Sequence, residues 1–278
     1  KTDKEKYKPR ETARLSVSTF DYKNNPVSTQ VTLGVADESV YAINPDTTPN
    51  MQKFFYGLKY NKVYTTNSFY HAQARDGRLK DSSGAPMPQA EAEAPEPDGS
   101  MHYYKGKAGG KQDMVQPEFV REFFPDTCYF NPNIITDQNG TATVNIALPD
   151  SLTTWRATAR GISLSNKVGE AIHKFVVGKD LLVRLITPRY MTERDELYIT
   201  GIAHNYLKTE KRVVMELVAK GVKMLSDSKN TYTVSKNGQK RVDWQVIAQT
   251  AGRAEFLLKS LTDEQSDAVK MSIPILPH

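Results

Sequence analysis

The sequence predicts an all-β chain: two consecutive antiparallel β-sandwiches, the first interrupted by a long polar insertion. Three observations carry this. Beyond about Gly178, seven short runs of alternating apolar residues fall within roughly 100 residues, spaced eight to fifteen apart. A similar rhythm fills the first half. Between its two parts, Asp81 to Asp113 contains no Val, Ile, Leu, Phe or Trp.

The elements follow in order. Residues 1–9 are a charged leading segment, read as the start of a piece cut from a longer protein. Leu15 and Val17, then Val31, Leu33 and Val35, mark two strands, with Tyr22-Lys-Asn-Asn-Pro26 as a turn between them. Thr136-Asp-Gln-Asn-Gly140 is a second turn, and Asn139-Gly140 supplies the positive φ of a tight hairpin. Asn139-Gly-Thr141 is also a glycosylation sequon, but the hairpin is the simpler reading. Ala142, Val144, Ile146 and Leu148 form the next strand, closed by Pro149-Asp150, and Trp155, Ala157 and Ala159 the one after. Ser163 and Ser165 lie in a strand-like run and read as structural. The second unit has strands at Val183–Leu185, Leu197–Gly201, Val213–Ala219, Tyr232–Val234, Val242–Val246, Ala254–Leu258 and Val269–Ile273. Trp155 and Trp244 read as sandwich core. The expected division is 10–71 with 117–176, the insertion 72–116, and 177–278.

The insertion accounts for the polarity of the whole. The chain has 278 residues, a natural size for two domains, yet its mean hydropathy is −0.56. Four prolines and five glycines between Asp81 and Asp113, with alanines and carboxylates between them, cannot bury enough apolar surface to offset about 1–2 kcal/mol of backbone entropy per residue. The segment therefore reads as exposed and mobile, either a linker or a functional loop.

Several function classes find no support. Net charge is +5, but the basic residues are spread out, so no nucleic-acid footprint is expected. No apolar run approaches a membrane span. Cys128 is the only cysteine, which excludes an internal disulfide, and it reads as a small buried apolar residue whose one local basic neighbour is Arg121. The five histidines (His71, His102, His173, His204, His278) lack metal-ligand spacing, so no metal or cofactor is expected. Hydrolase, phosphate-loop and zinc-protease motifs are missing, so the chain does not read as an enzyme.

Specific motifs now matter. The run Phe124-Pro-Asp-Thr127, then Thr136-Asp-Gln-Asn-Gly140, then Leu148-Pro-Asp-Ser-Leu-Thr-Thr-Trp-Arg-Ala157 resembles the α-2-macroglobulin family. So do Tyr7-Lys-Pro-Arg10, Leu33-Gly-Val-Ala-Asp-Glu-Ser-Val40, Phe54-Phe-Tyr-Gly57 and Asn205-Tyr-Leu207. The resemblance covers 5–278, and the low cysteine content fits bacterial members. Two positions depart from the pattern. Arg10 stands where glycine is usual, implying a different turn, and Cys128 replaces an alanine or apolar residue. Neither departure is expected to touch a functional motif. Cys128 is followed by Tyr129-Phe130, so no thioester motif is present.

The resemblance implies macroglobulin domains, a fibronectin-III-like fold, and identifies 72–116 as a bait region. An exposed, varied segment suits that role. It offers Arg75, Arg78, Lys80, Lys105, Lys107 and Lys111 to trypsin-like enzymes, and Met101, Tyr103 and Tyr104 to chymotrypsin-like ones. By the family mechanism, cutting the bait lets the two tethered halves of the sandwich relax and traps the protease. The implied partners are endopeptidases of several specificities and the other domains of a parent inhibitor. The implied location is periplasmic or extracellular, including a cell-surface parent held by a lipid anchor. A complement-like binding or scaffold module, with the insertion as a spacer, is the alternative.

Overall fold

The computed structural model describes residues 1–59 and 114–278. Lys6–Tyr7 form β1, Thr12–Ser18 β2 and Gln30–Asp37 β3. Two short helices follow, α1 (Glu38–Ile43) and α2 (Met51–Tyr56). After the insertion come β4 (Thr127–Ile135), β5 (Thr141–Ala147), β6 (Thr154–Ile162) and β7 (Val168–Val177). In β2, Ala13, Leu15 and Val17 are buried while their neighbours face outward, the period of two that a sandwich strand requires.

One sheet has the order β1-β7-β6-β3-β4 and faces a two-stranded sheet of β2 and β5. Leu15, Val31, Leu33, Ile146, Trp155 and Phe175 fill the space between them. Tyr7 packs edge-on against Phe175, ring centroids 5.6 Å apart. The leading segment thus enters the sandwich, because β1 pairs in parallel with β7.

The topology interleaves the two sides of the insertion. β3 lies between β4 and β6, bonded to both, and β2 pairs with β5. Of the strands before the insertion, β3 is therefore held on both edges by strands from after it, and β1 and β2 on one edge each.

The second sandwich holds β8 (Leu181–Ile186), β9 (Met191–Thr192), β10 (Glu196–Asn205), β11 (Lys211–Lys220), β12 (Val222–Met224), β13 (Lys229–Val234), β14 (Gln239–Ala248), β15 (Gly252–Leu261) and β16 (Ser266–Leu276). Its sheets have the orders β12-β14-β10-β8 and β13-β11-β15-β16-β9. All seven expected strands are present, and β9 and β12 are short additions. Trp244 is fully buried, as is Trp155 in the first sandwich. Gly201 lies in β10 beneath Trp244 and Leu258. A Cβ there would come within 2.7 Å of the indole and 2.6 Å of Leu258.

Three local expectations are corrected. The Asp137–Gly140 turn does have Gly140 at φ 68°, but it closes no hairpin: β4 bonds β3 while β5 bonds β2, so the chain crosses between sheets there. Ser163 and Ser165 lie in the β6–β7 turn rather than in a strand, their hydroxyls 3.0 Å apart. The two helices have polar caps that alternation cannot reveal. Asp37 accepts the Ser39 amide at the start of α1, and Asn50 accepts the Lys53 amide at the start of α2.

Candidate functional site: the two flanks of the insertion

All nine residues expected as cleavage sites (Arg75, Arg78, Lys80, Met101, Tyr103, Tyr104, Lys105, Lys107 and Lys111) lie outside the described residues. What can be built from the residues upward is the pair of flanks that hold the insertion, and they are held differently.

The leading flank is a polar strap over the outer face of β6 and β7. Neither α1 nor α2 contributes a buried residue. Its adhesion comes from charge. Lys174 reaches Glu38 at 2.7 Å, Arg156 reaches Asp46 at 3.3 Å, and Arg160 lies 3.7 Å from both Asp46 and Glu170. The Arg156 guanidinium also stacks on Tyr41, 4.2 Å from the ring centre. The Tyr56 hydroxyl donates to the Asn166 carbonyl at 2.7 Å, and Asn50 donates to Glu170. The hydrogen bonds from the Thr48 hydroxyl and amide hold the Asp46 carboxyl below its usual range, with burial opposing and the two arginines assisting. Partly exposed pairs of this kind are each worth less than about 1 kcal/mol and weaken with salt.

The trailing flank is built around two buried carboxylates. Asp150 accepts from Arg10 Nε at 2.6 Å and from the amides of Glu122 and Phe123 at 2.9 and 3.1 Å. Burial works to raise its pKa, but the Arg10 bond and the two amides outweigh that, so the carboxyl sits below the usual range. Arg10 also donates to the Val120 carbonyl at 2.8 Å. On the other side, Arg121 forks onto both oxygens of Asp267, at 3.0 and 2.7 Å, and donates to the Val183 carbonyl at 2.7 Å. Lys179 meets the same carboxylate at 3.0 Å. Backbone bonds add a short ladder: Val115 to Thr262, Arg121 to Ala268, and Lys270 to Arg121. Phe119 lies between cations, 4.5 Å from the Arg10 guanidinium and 5.4 Å from Lys179.

Two sequence readings change here. Arg10 adopts φ 64°, the left-handed region that favours glycine, and its guanidinium is part of the trailing-flank site. Arg121 does not serve Cys128, since it is turned to Asp267. Cys128 is half-buried against the first core, and desolvation pushes its thiol up to about 12. Sequence reasoning missed Arg121, Asp150 and Asp267 as a set. Only Asp150, inside Leu148-Pro-Asp-Ser151, carried a signal. Among the described residues no group of His, Cys, Asp and Glu converges as metal ligands would, and no helix is long and apolar enough to cross a membrane.

Tandem antiparallel sandwiches, the first split by an insertion between its third and fourth strands, define a modular all-β protein of the macroglobulin-domain type. Residues 127–217 match the Alpha-2-macroglobulin family. The chain is 28% identical over 280 residues to the alpha-2-macroglobulin of Thermotoga maritima, covering 98% of this chain and 17% of that protein. Two solved structures of Escherichia coli alpha-2-macroglobulin superpose over the whole chain. The elastase-activated one has a TM-score of 0.68 at 16% identity over 22% of its length, and the trypsin-activated one 0.69 at 15% over 17%. The family match covers about a third of the chain, and the chain spans less than a fifth of the length of that Thermotoga relative.

Proposed function

We propose that residues 72–116 are the bait region of a broad-spectrum protease inhibitor, and that this chain is the part of it that offers the bait and registers its cleavage. The observation that carries the reading is the contrast between the flanks. The chain leaves from the end of a central strand through a polar strap, and it returns through a buried clamp that touches both sandwiches. A segment held in this way at its two ends presents its middle to an enzyme cleft while its ends stay fixed to the fold. The elastase- and trypsin-activated states of the Escherichia coli relative support the same reading. The partners are endopeptidases of several specificities and the remaining domains of the parent, and the setting is periplasmic or at the cell surface. The chain acts as a substrate and sensor.

Limited proteolysis tests this. Low doses of trypsin, chymotrypsin and elastase should each cut first within 72–116 and leave the sandwiches resistant. First cuts scattered over 178–278 would refute it and would favour a scaffold module in which the insertion is a spacer.

A further inference from the structure

Residues 115–124 lie in no strand, yet they bond both sandwiches. Toward the first, the Glu122 and Phe123 amides donate to Asp150, the Asp150 amide donates back to the Phe123 carbonyl at 3.1 Å, and Arg10 holds the Val120 carbonyl. Toward the second, Arg121 donates to Asp267 and Val183, and the ribbon bonds Thr262, Ala268 and Lys270. Among the described residues, the sandwiches are also linked by the connector 178–180, whose Gly178 amide bonds the Tyr7 carbonyl, and by the exposed pair of Lys6 and Asp180 at 2.8 Å. An exposed pair and a short connector do not fix an angle between domains.

The carboxylate that Arg121 grips does not need it for neutralisation. Asp267 also accepts from Lys179 and from the Val183 amide at 2.9 Å. What Arg121 alone contributes is a planar two-bond attachment of the ribbon to the second sandwich. We propose that Arg121 is a positioning residue, and that 115–124 is a two-sided joint that sets the angle between the sandwiches and ties the trailing end of the insertion to the second one. The inference rests on the bait reading for its use, because a joint at this place keeps the trailing end of a cut insertion fixed to the second sandwich.

The test uses the 278-residue chain with Cys128→Ser, and with nitroxide labels on Lys23→Cys and Lys236→Cys, both exposed and one on each sandwich. Electron–electron double resonance then reads the spread of distances between the labels. Arg121→Met should broaden it about twofold, as expected of domains that have lost a fixed interface. Lys6→Met, which breaks only the exposed pair, should leave it unchanged. Should the methionine variant fail to fold, Arg121→Lys, which keeps charge but loses the fork, should broaden it in the same direction. An unchanged spread in a folded Arg121 variant overturns the joint. A second arm cuts the labelled parent chain with a low dose of trypsin. Cuts confined to 72–116 with the spread preserved are the expected result, whereas cuts in the second sandwich would sink the bait reading and leave the Arg121 result standing.

Discussion

A nick in the insertion should leave the first sandwich assembled. The cut turns one chain into two, the leading piece carrying β1, β2, β3, α1 and α2 and the trailing piece all the rest. The leading piece inserts Tyr7, Leu15, Val17, Val31, Leu33 and Val35 into the shared core. Burying each large aliphatic among them is worth about 1.5–3 kcal/mol, and β3 adds backbone ladders along both of its edges. Association costs differ widely between systems, so the informative measurement compares two nicked proteins in which that cost cancels. Leu33 is 1% exposed in the middle of β3. Leu33→Ala should cost about 3 kcal/mol, which weakens the nicked complex about a hundredfold. The assay is size-exclusion chromatography of trypsin-nicked chain over a dilution series, with a denaturing gel to prove the cut. The parent pieces should co-elute at about 10 μM, where an interface of this extent stays closed. Separate elution at that concentration would refute the interleaving argument, as would equal stability of the two nicked proteins.

Three further outcomes are expected. Raising salt from about 0.1 to 1 M shortens the screening length from about 10 to 3 Å, so amide exchange over 38–57 should rise about tenfold while that of 119–123 holds. Equal responses of the two flanks would contradict the contrast drawn between them. Cys128, whose thiol moves from 9.0 to about 12, should have about a thousandfold less thiolate at pH 8 than in the unfolded chain, so iodoacetamide should label it only in denaturant; rapid native labelling would show an open site. Gly201→Ala drives a methyl into Trp244 and Leu258 and should cost about 1–3 kcal/mol, read as a thermal midpoint several degrees lower. An unchanged midpoint would mean the core yields there.

The strands of the second sandwich were legible because each buries alternate residues, as Val242, Trp244 and Val246 do, and period two survives in a bare sequence. The motifs around Asp150 and Trp155 pointed to the family for the same reason: they are local and contiguous. What escaped was whatever depends on the meeting of distant residues. Tyr7 reads as part of a charged start until β7 pairs beside it. Arg121 and Asp267 are 146 positions apart, and neither has a neighbour that marks it as buried. The Asn139-Gly140 turn was right as a turn and wrong as a hairpin, because turn chemistry fixes a change of direction and not the strand that waits beyond it. Arg10 shows the limit of a motif departure as a signal. Arg10 sits in the left-handed region that favours glycine and makes bonds to Asp150 that glycine could not make.

The fixed flanks carry a consequence for how such a chain can change over time. The strap bonds of residues 38–56 and the clamp bonds of residues 115–123 lie outside the residues proposed as cleavage sites. A cut at any of those sites leaves both anchors on the chain that carries them. On the bait reading, the vocabulary of the insertion is free to drift, lengthen or be replaced wholesale, while the anchoring of its trailing end stays written in Arg10, Arg121, Asp150 and Asp267.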